Sequence, residues 1–278
     1  MTPQDFQLMS SLVRERSGLV LGEDKAYLLE SRLTPITRKN GMKSLEDLIA
    51  AVKTKKDETL IADIVEAMTT NESLFFRDGK PFEQLKDLVL PQLLKSREAS
   101  RRIRIWSAAC SSGQEPYSIA ILIKEAGAAF ANWKIEIVAT DLSMAMLKKA
   151  QSGVYSQFEV QRGLPITLLV KYFKQDGDRW EIDPALRSMV SYKPFNLLDS
   201  PASLGKFDIV LCRNVLIYFD QDTKRQVLER ISTVMTPDGT LYLGGAETVL
   251  GITDKFLPVA GQRGLYQMAS NVPTRLTA

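Results

Sequence analysis

The stretch IRIWSAACSSGQEPYSIAI, Ile103 to Ile121, decides the fold, because it reads as an apolar strand, a loop of small residues and a helix in immediate succession. Ile103, Ile105 and Trp106 form a short apolar run after Arg101 and Arg102, the pattern of a buried parallel strand. The loop from Ala108 to Gly113 carries almost no side-chain bulk, so a ligand can approach its backbone closely. Pro116 suits the first turn of a helix, where its missing N–H costs nothing, and Tyr117, Ile119, Ala120 and Ile123 continue with helical spacing. This order of elements builds a pocket for a nucleotide-like cofactor at the carboxyl end of the strand. Taken alone, it is equally an ordinary strand-to-helix turn of an α/β protein.

Outward from this stretch, strand-like and helix-like segments alternate. Strands are predicted at Ile103 to Trp106, Lys134 to Thr140, Phe207 to Cys212 and Thr240 to Leu243, with helices following from Tyr117, Ser143 and Gln221. Such alternation predicts a mostly parallel sheet with helices on both faces. Between Val154 and Lys193 the pattern breaks into short apolar runs with Gly163, Pro165 and the turn-like Gln175 to Asp178, which predicts an inserted antiparallel β-subdomain at about 154–193. Phe256 to Met268 reads as a closing hairpin. Residues 1–75 read as a small all-helical domain, with apolar positions at Phe6, Met9, Leu12, Val13, Tyr27 to Leu29, Leu33, Leu45, Leu48, Ile49 and Val52. The remainder, 76–278, is then the larger domain, and 278 residues suffice for a substantial core in such an arrangement.

Composition narrows the chemistry. The chain has no histidine, which removes Ser-His and Cys-His catalysis and the common zinc sites together, so no metal site is expected. Cys110 and Cys212 are the two cysteines, far apart and outside any CxxC spacing, and read as small buried residues. A net charge of +3 does not argue for nucleic acid. No apolar run is long enough to span a bilayer, and the start MTPQDFQLMSSLV lacks the apolar core of a secretory signal, so a cytoplasmic location is expected. Arg32, Arg38, Lys39 and Lys43 gather in the helical domain, as a solvated face or as a docking surface for acidic helices.

The second strand ends in Asp141, whose carboxylate can accept hydrogen bonds from both ribose hydroxyls of a nucleoside cofactor; Asp141 and Ser143 also both suit a helix N-cap. The first loop lacks a full GxGxxG. A dinucleotide needs the helix amino terminus cleared for its pyrophosphate, whereas a cofactor without phosphates does not, so S-adenosylmethionine fits better than NAD.

Five ordered motifs then carry a resemblance. TTNESLFFRD (Thr69 to Asp78), WSAACSSGQEPYSIA (Trp106 to Ala120), ATDLS (Ala139 to Ser143), NLL (Asn196 to Leu198) and FDIVLCRNVLIYFD (Phe207 to Asp220) make the chain similar to the CheR-type chemotaxis receptor methyltransferases over nearly its whole length. The resemblance implies a Rossmann-like α/β fold dependent on S-adenosyl-L-methionine, methyl transfer to glutamate side chains on the cytoplasmic helices of chemoreceptors, and S-adenosyl-L-homocysteine as product. It implies that Asn71, Ser73 and Arg77 line the cofactor pocket from the linker, with Arg77 on the methionine carboxylate. Ala109 and Glu115 follow from the first loop, with Glu115 near the amino group. Asp141 takes the ribose, Leu142, Asn196 and Leu197 border the adenine, and Arg213, Asn214 and Tyr218 sit beside the reacting methyl. Tyr218 is the candidate for orienting the incoming carboxylate and Arg213 for steering its charge. Arg77 lies between aromatics and Asp78, where a buried guanidinium calls for an anionic partner. The chain departs from the usual pattern at Ser73, often Thr, and at Gln114, often Glu. Phe75 and Phe76 read as core.

On this reading Arg32, Arg38 and Lys39 dock an acidic receptor bundle, and in some relatives the β-subdomain pairs with a receptor's carboxyl-terminal peptide. An RNA or small-molecule methyltransferase would be expected to show a base-stacking motif or a markedly basic domain. A Rossmann dehydrogenase would need the pyrophosphate glycines. A signalling scaffold or sensor that binds S-adenosylmethionine without catalysis is the remaining alternative, and Arg213, Asn214 and Tyr218 argue against it.

Overall fold

The structure, a computed structural model, describes residues 1–54 and 57–271; residues 55, 56 and 272–278, which fall within the expected domain ranges, lie outside the described residues. The chain divides into two compact units, Met1–Thr70 with Tyr218–Thr223, and Asn71–Ile217 with Lys224–Ala278. The division thus precedes residue 75. Asn71 and Phe75 are held by the second unit: the Asn71 carbonyl accepts from Ser111 Oγ at 2.8 Å, and the Phe75 ring packs edge-on against Tyr155 and Phe173.

The described residues of the first unit form the α-helices α1 (Pro3–Ser17), α2 (Ala26–Lys39), α3 (Leu45–Thr54) and α4 (Glu58–Met68). Thr2 and Asp5 form a reciprocal capping box at the start of α1, and Gly18 ends it at φ 78°, a conformation glycine reaches without a Cβ penalty. Asp57 caps α4. Phe6, Met9, Val13, Leu29, Leu33, Leu48, Ile64 and Met68 form the core. Tyr27 is 65% exposed, because it lies two residues off the Leu29–Leu33 stripe and faces away from it. The segment Tyr218–Thr223 is tied into this unit by a Val20 N–H donating to the Tyr218 carbonyl and by an Arg14–Asp220 ion pair.

The second unit opens with α5 (Lys80–Gln84) and α6 (Leu90–Ser96), joined by a π turn at Leu85–Val89. There follow β1 (Arg102–Ala108), α7 (Gln114–Glu125), β2 (Lys134–Asp141) and α8 (Met144–Ser152). Next come β3 (Val154–Ser156), α9 (Gln157–Gln161), α10 (Ile166–Tyr172), β4 (Phe173–Asp176), β5 (Arg179–Ile182) and α11 (Pro184–Arg187). The chain continues with β6 (Val190–Pro194), β7 (Phe207–Cys212), α12 (Gln221–Thr233), β8 (Met235–Leu243), β9 (Phe256–Pro258) and β10 (Leu265–Met268).

Seven strands form one sheet in the order β6-β2-β1-β7-β8-β10-β9, parallel from β6 through β8 and antiparallel at the β10 hairpin. Every residue of β7 is buried, as expected of a parallel strand covered on both faces. The chain leaves β1 towards β2 on one side, while β7 pairs on the other, so β1 marks the switch point where an α/β sheet opens a crevice at its carboxyl edge. Ala108, Asp141 and Cys212 end the three strands there.

Two boundaries differ from expectation. Residues Val190–Lys193 belong to the large sheet rather than to the insert, since Val190 pairs in register with Ile137. Strand β8 begins at Met235, with its register against β7 shifting between Phe207 and Ile209. The antiparallel insert is the small sheet β3-β5-β4.

Candidate functional site

The loop after β1 turns without a glycine at its first bends. Ala109 and Ser111 sit at φ 58° and 50°, and Gly113 at 92° begins α7. Holding two non-glycine residues left-handed costs about 1–2 kcal/mol each, so neighbours must fix the loop. They do: the Cys110 N–H donates to the Thr140 carbonyl, the Ser111 N–H to Asp141 Oδ2 at 2.7 Å, and the Tyr155 hydroxyl to the Ser112 carbonyl at 2.8 Å. Gly113 cannot carry a side chain, since a Cβ there would stand 2.8 Å from both Ala150 and the Tyr192 hydroxyl.

Asp141 is buried, and its second oxygen accepts from the Ser143 N–H at 2.9 Å. The N-cap of α8 is Ser143, which accepts from the Met146 N–H, and Asp141 instead bridges the ends of β1 and β2. Leu142 beside it is half-buried. Asn196 and Leu197 follow β6 in a turn where Asn196 Oδ1 accepts from the Leu198 N–H.

Glu115, in the first turn of α7, accepts from Ser107 Oγ on one oxygen and from Arg213 Nη1 on the other, both at 2.8 Å. Arg213 Nη2 donates to the Arg77 carbonyl and to Asp78, at 2.8 and 2.7 Å, and the guanidinium lies over the Phe82 ring. The side chain of Arg213 is 1% exposed and its Nε is buried without a hydrogen-bond partner. A guanidinium so enclosed makes its described bonds to Glu115, Asp78 and the Arg77 carbonyl rather than to solvent.

Arg77 itself is half-exposed, and its Nη1 donates to the Glu72 carbonyl. The aromatics around it do not bury it: Phe75 turns into the core, Phe76 packs on Phe82, and Asp78 pairs with Arg213. The turn that presents Arg77 is sharply bent, with Phe76 at φ 49° and Asp78 at 70°, and the Phe76 N–H donates to Ser118 Oγ on α7. Ser73 is half-buried in the same segment.

Asn214 follows Arg213 at φ 59°, and its N–H donates to a buried carboxylate, Glu247, that the sequence reading did not single out. Its only signal was an acid following the glycine pair Gly244–Gly245 at the end of an apolar strand. Tyr218 ends a 3-10 turn at Leu216–Tyr218 and groups with the first unit. Of the expected docking cations, Arg32 donates to the carbonyls of Met68 and Thr69 and so caps α4, Lys39 pairs with Asp63, and Arg38 stands exposed. Burial pushes the thiols of Cys110 and Cys212 up, with negative charge from Asp141 and Glu115 adding at Cys110 and from Glu247 and Glu115 at Cys212.

The donor set matches S-adenosylmethionine. Two carboxylates, Asp141 and Glu115, stand near the switch point for hydroxyl and amino groups, a partly exposed guanidinium at Arg77 suits a carboxylate, and the loop between them is stripped of bulk. Among the described residues no cluster of metal-ligating side chains occurs, and no helix is long and apolar enough to cross a membrane.

A parallel sheet with this donor set at its switch point is the arrangement of an S-adenosylmethionine-dependent methyltransferase, the class to which its family matches assign the chain. Residues 71–265 match the family described as "CheR methyltransferase, SAM binding domain", and residues 4–69 match "CheR methyltransferase, all-alpha domain". A relative from Pseudomonas putida, "Chemotaxis protein methyltransferase Cher2", is 44% identical over 95% of this chain and 98% of its own length. "Chemotaxis protein methyltransferase 1" of Pseudomonas aeruginosa is 45% identical over 95% and 97%, and a Vibrio parahaemolyticus relative, "Chemotaxis protein methyltransferase", 41% over 94% and 95%. The chain belongs to the CheR methyltransferase family, and its cofactor is S-adenosyl-L-methionine.

Proposed function

We propose that this protein transfers a methyl group from S-adenosyl-L-methionine to glutamate side chains of chemoreceptors in the cytoplasm, leaving methyl esters. The observation that carries the reading is the tie between Arg213, Glu115 and the Arg77–Asp78 turn at the carboxyl edge of β1 and β7, in a chain whose relatives are named chemotaxis protein methyltransferases.

When bound, the cofactor supplies an electrophilic methyl group on a cationic sulfur. Arg77 would hold its carboxylate, Glu115 its amino group and Asp141 its ribose hydroxyls. Leu142, Asn196 and Leu197 would border the adenine, and Asn71, Ser73, Ala109 and Asn214 would complete the wall. A glutamate with an ordinary pKa near about 4.3 is already ionised at neutral pH, so the protein needs no general base, in keeping with a chain without histidine. Its task is to position the acceptor and exclude water. Tyr218 orients the incoming carboxylate, and Arg213 acts from behind by fixing Glu115 and the turn that presents Arg77. Arg38 on the helical unit would meet the acidic receptor surface, with Arg32 and Lys39 supporting it from their partnered positions. β4 is an edge strand of the small sheet, the kind of edge to which a receptor's carboxyl-terminal peptide could add.

Labelled S-adenosylmethionine incubated with the protein and receptor-bearing membranes tests the reading: base-labile label should enter the receptor and vanish when the accepting glutamates are changed to alanine. Label that stays off the receptor, or that resists base, overturns it. Arg77→Ala should abolish cofactor binding by calorimetry; unchanged affinity would refute the role given to that guanidinium.

A further inference from the structure

Glu247 lies beyond the end of β8 and is 9% exposed. Its Oε2 accepts from the N–H groups of Asn214 and Gly244 at 2.8 and 2.6 Å, and its Oε1 from those of Val215 and Ile217 at 2.9 and 3.3 Å. Four backbone donors offset the desolvation of one carboxylate, and three of them belong to the loop that follows β7. Asn214 is held left-handed at φ 59°, which reverses the chain immediately after Arg213, and the loop's amides turn onto Glu247. Room for the carboxylate comes from Gly244: a Cβ there would stand 2.7 Å from Glu247 Oε2, 2.7 Å from Asn214 Nδ2 and 2.9 Å from the Asn214 nitrogen.

We propose that Glu247 is a positioning residue for methyl transfer: by clamping the amides of Asn214, Val215 and Ile217 it fixes the acceptor side of the site, an assignment that rests on the methyl-transfer reading above. The carboxylate bonds backbone amides, among them that of Asn214 in the expected cofactor wall, and none of the charged side chains at Arg77, Glu115 or Asp141, so it acts through the loop. Its exposure is too low, and its oxygens too fully occupied, for it to serve as an external docking charge.

Full-length wild-type, Glu247→Gln and Gly244→Ala proteins are compared with receptor-bearing membranes as acceptor, and S-adenosylhomocysteine calorimetry counts the binding-competent molecules. In Glu247→Gln an amide NH2 faces backbone donors and the clamp opens; in Gly244→Ala the carboxylate remains but is crowded off the loop. Misplacing reacting groups by about 1 Å costs roughly 100-fold, so kcat per competent molecule should fall by that order in Glu247→Gln, while KM for the receptor stays within about threefold. A merely structural role would lower the competent fraction and leave kcat per competent molecule unchanged, and that outcome overturns the proposal. Wild-type protein that labels no receptor sinks the functional reading as well; labelling wild type beside an undiminished Glu247→Gln variant sinks only this one. Where neither variant folds, amide hydrogen exchange of the wild type decides: protection of Asn214 and Val215 comparable with β7 supports the clamp, and loop-like exchange refutes it.

Discussion

The guanidinium of Arg213 joins three pieces of backbone that the sequence keeps far apart, and its enclosure sets how costly it is to replace. Asp78 is 49% exposed and can be re-solvated, but Glu115 is 12% exposed and would be stranded. Removing one partner of a buried pair typically costs about 3–5 kcal/mol, so Arg213→Met should lose about 3 kcal/mol in chemical denaturation, together with S-adenosylhomocysteine binding. A loss under about 1 kcal/mol with binding retained would contradict this account. At this scale the sequence was legible where a residue type has few alternatives: a carboxylate closing a parallel strand, or small residues in the tight turn after one. It misled at Arg77, because adjacent aromatics implied burial, whereas the turn at Phe76 and Asp78 sends Phe75 inward and leaves the guanidinium half-exposed. It was silent at Glu247, whose partners are backbone amides with no sequence signature.

Among elements, the segment presenting Arg77 is held from one side by Ser118 on α7 and from the other by the turn after α9. Gly163 in that turn has φ 86°, and a Cβ there would lie 2.0 Å from the Phe75 carbonyl oxygen. Gly163→Ala should therefore cost at least about 2 kcal/mol by chemical denaturation, through strain and a backbone collision together. A variant as stable as wild type would show that the two segments part easily. Buried strands such as β7 were plain in the sequence because both faces are apolar. The start of β8 was not, because Thr236 to Gly239 (TPDG) reads as a turn, and only the register shift against β7 lets a strand carry Pro237 and Gly239. Strand β6 was read into the insert for a related reason: as an edge strand it exposes Ser191, Lys193 and Pro194 and sets only Val190 and Tyr192 against the core, too short an apolar face to mark a strand of the large sheet.

For the whole molecule, the absence of histidine shapes the response to pH. No side chain of ordinary pKa titrates between about 5 and 7, so stability should be flat across that window. Below it, carboxylates depressed in the fold take over: Asp238 through its bond from Arg97, Glu136 through Arg104, Glu125 through Lys171 and Tyr172, and Asp5, at about 2, through Lys53 and Thr2. A depressed carboxyl contributes stability above its unfolded pKa and loses it as pH falls towards the folded value, so the decline should run from about pH 4.5 down towards 2. At the alkaline end the raised thiols of Cys110 and Cys212 keep their protons in the fold while the unfolded chain releases them, so stability should fall above about pH 8.5. Melting temperatures measured from pH 3 to pH 10 check all three limbs, and a step between pH 5 and 7 would contradict the assignment. The guanidinium tie has a further consequence, for biosynthesis. Arg213 is 98 residues from Glu115 and 135 from Asp78, so a nascent chain can complete the loop and α7 and still lack the tie between them. Until Arg213, just after β7, has left the ribosome, the turn carrying Arg77 lacks the group that anchors it, so on the proposed reading the cofactor can stabilise the newly made protein only after β7 has emerged and paired with β1.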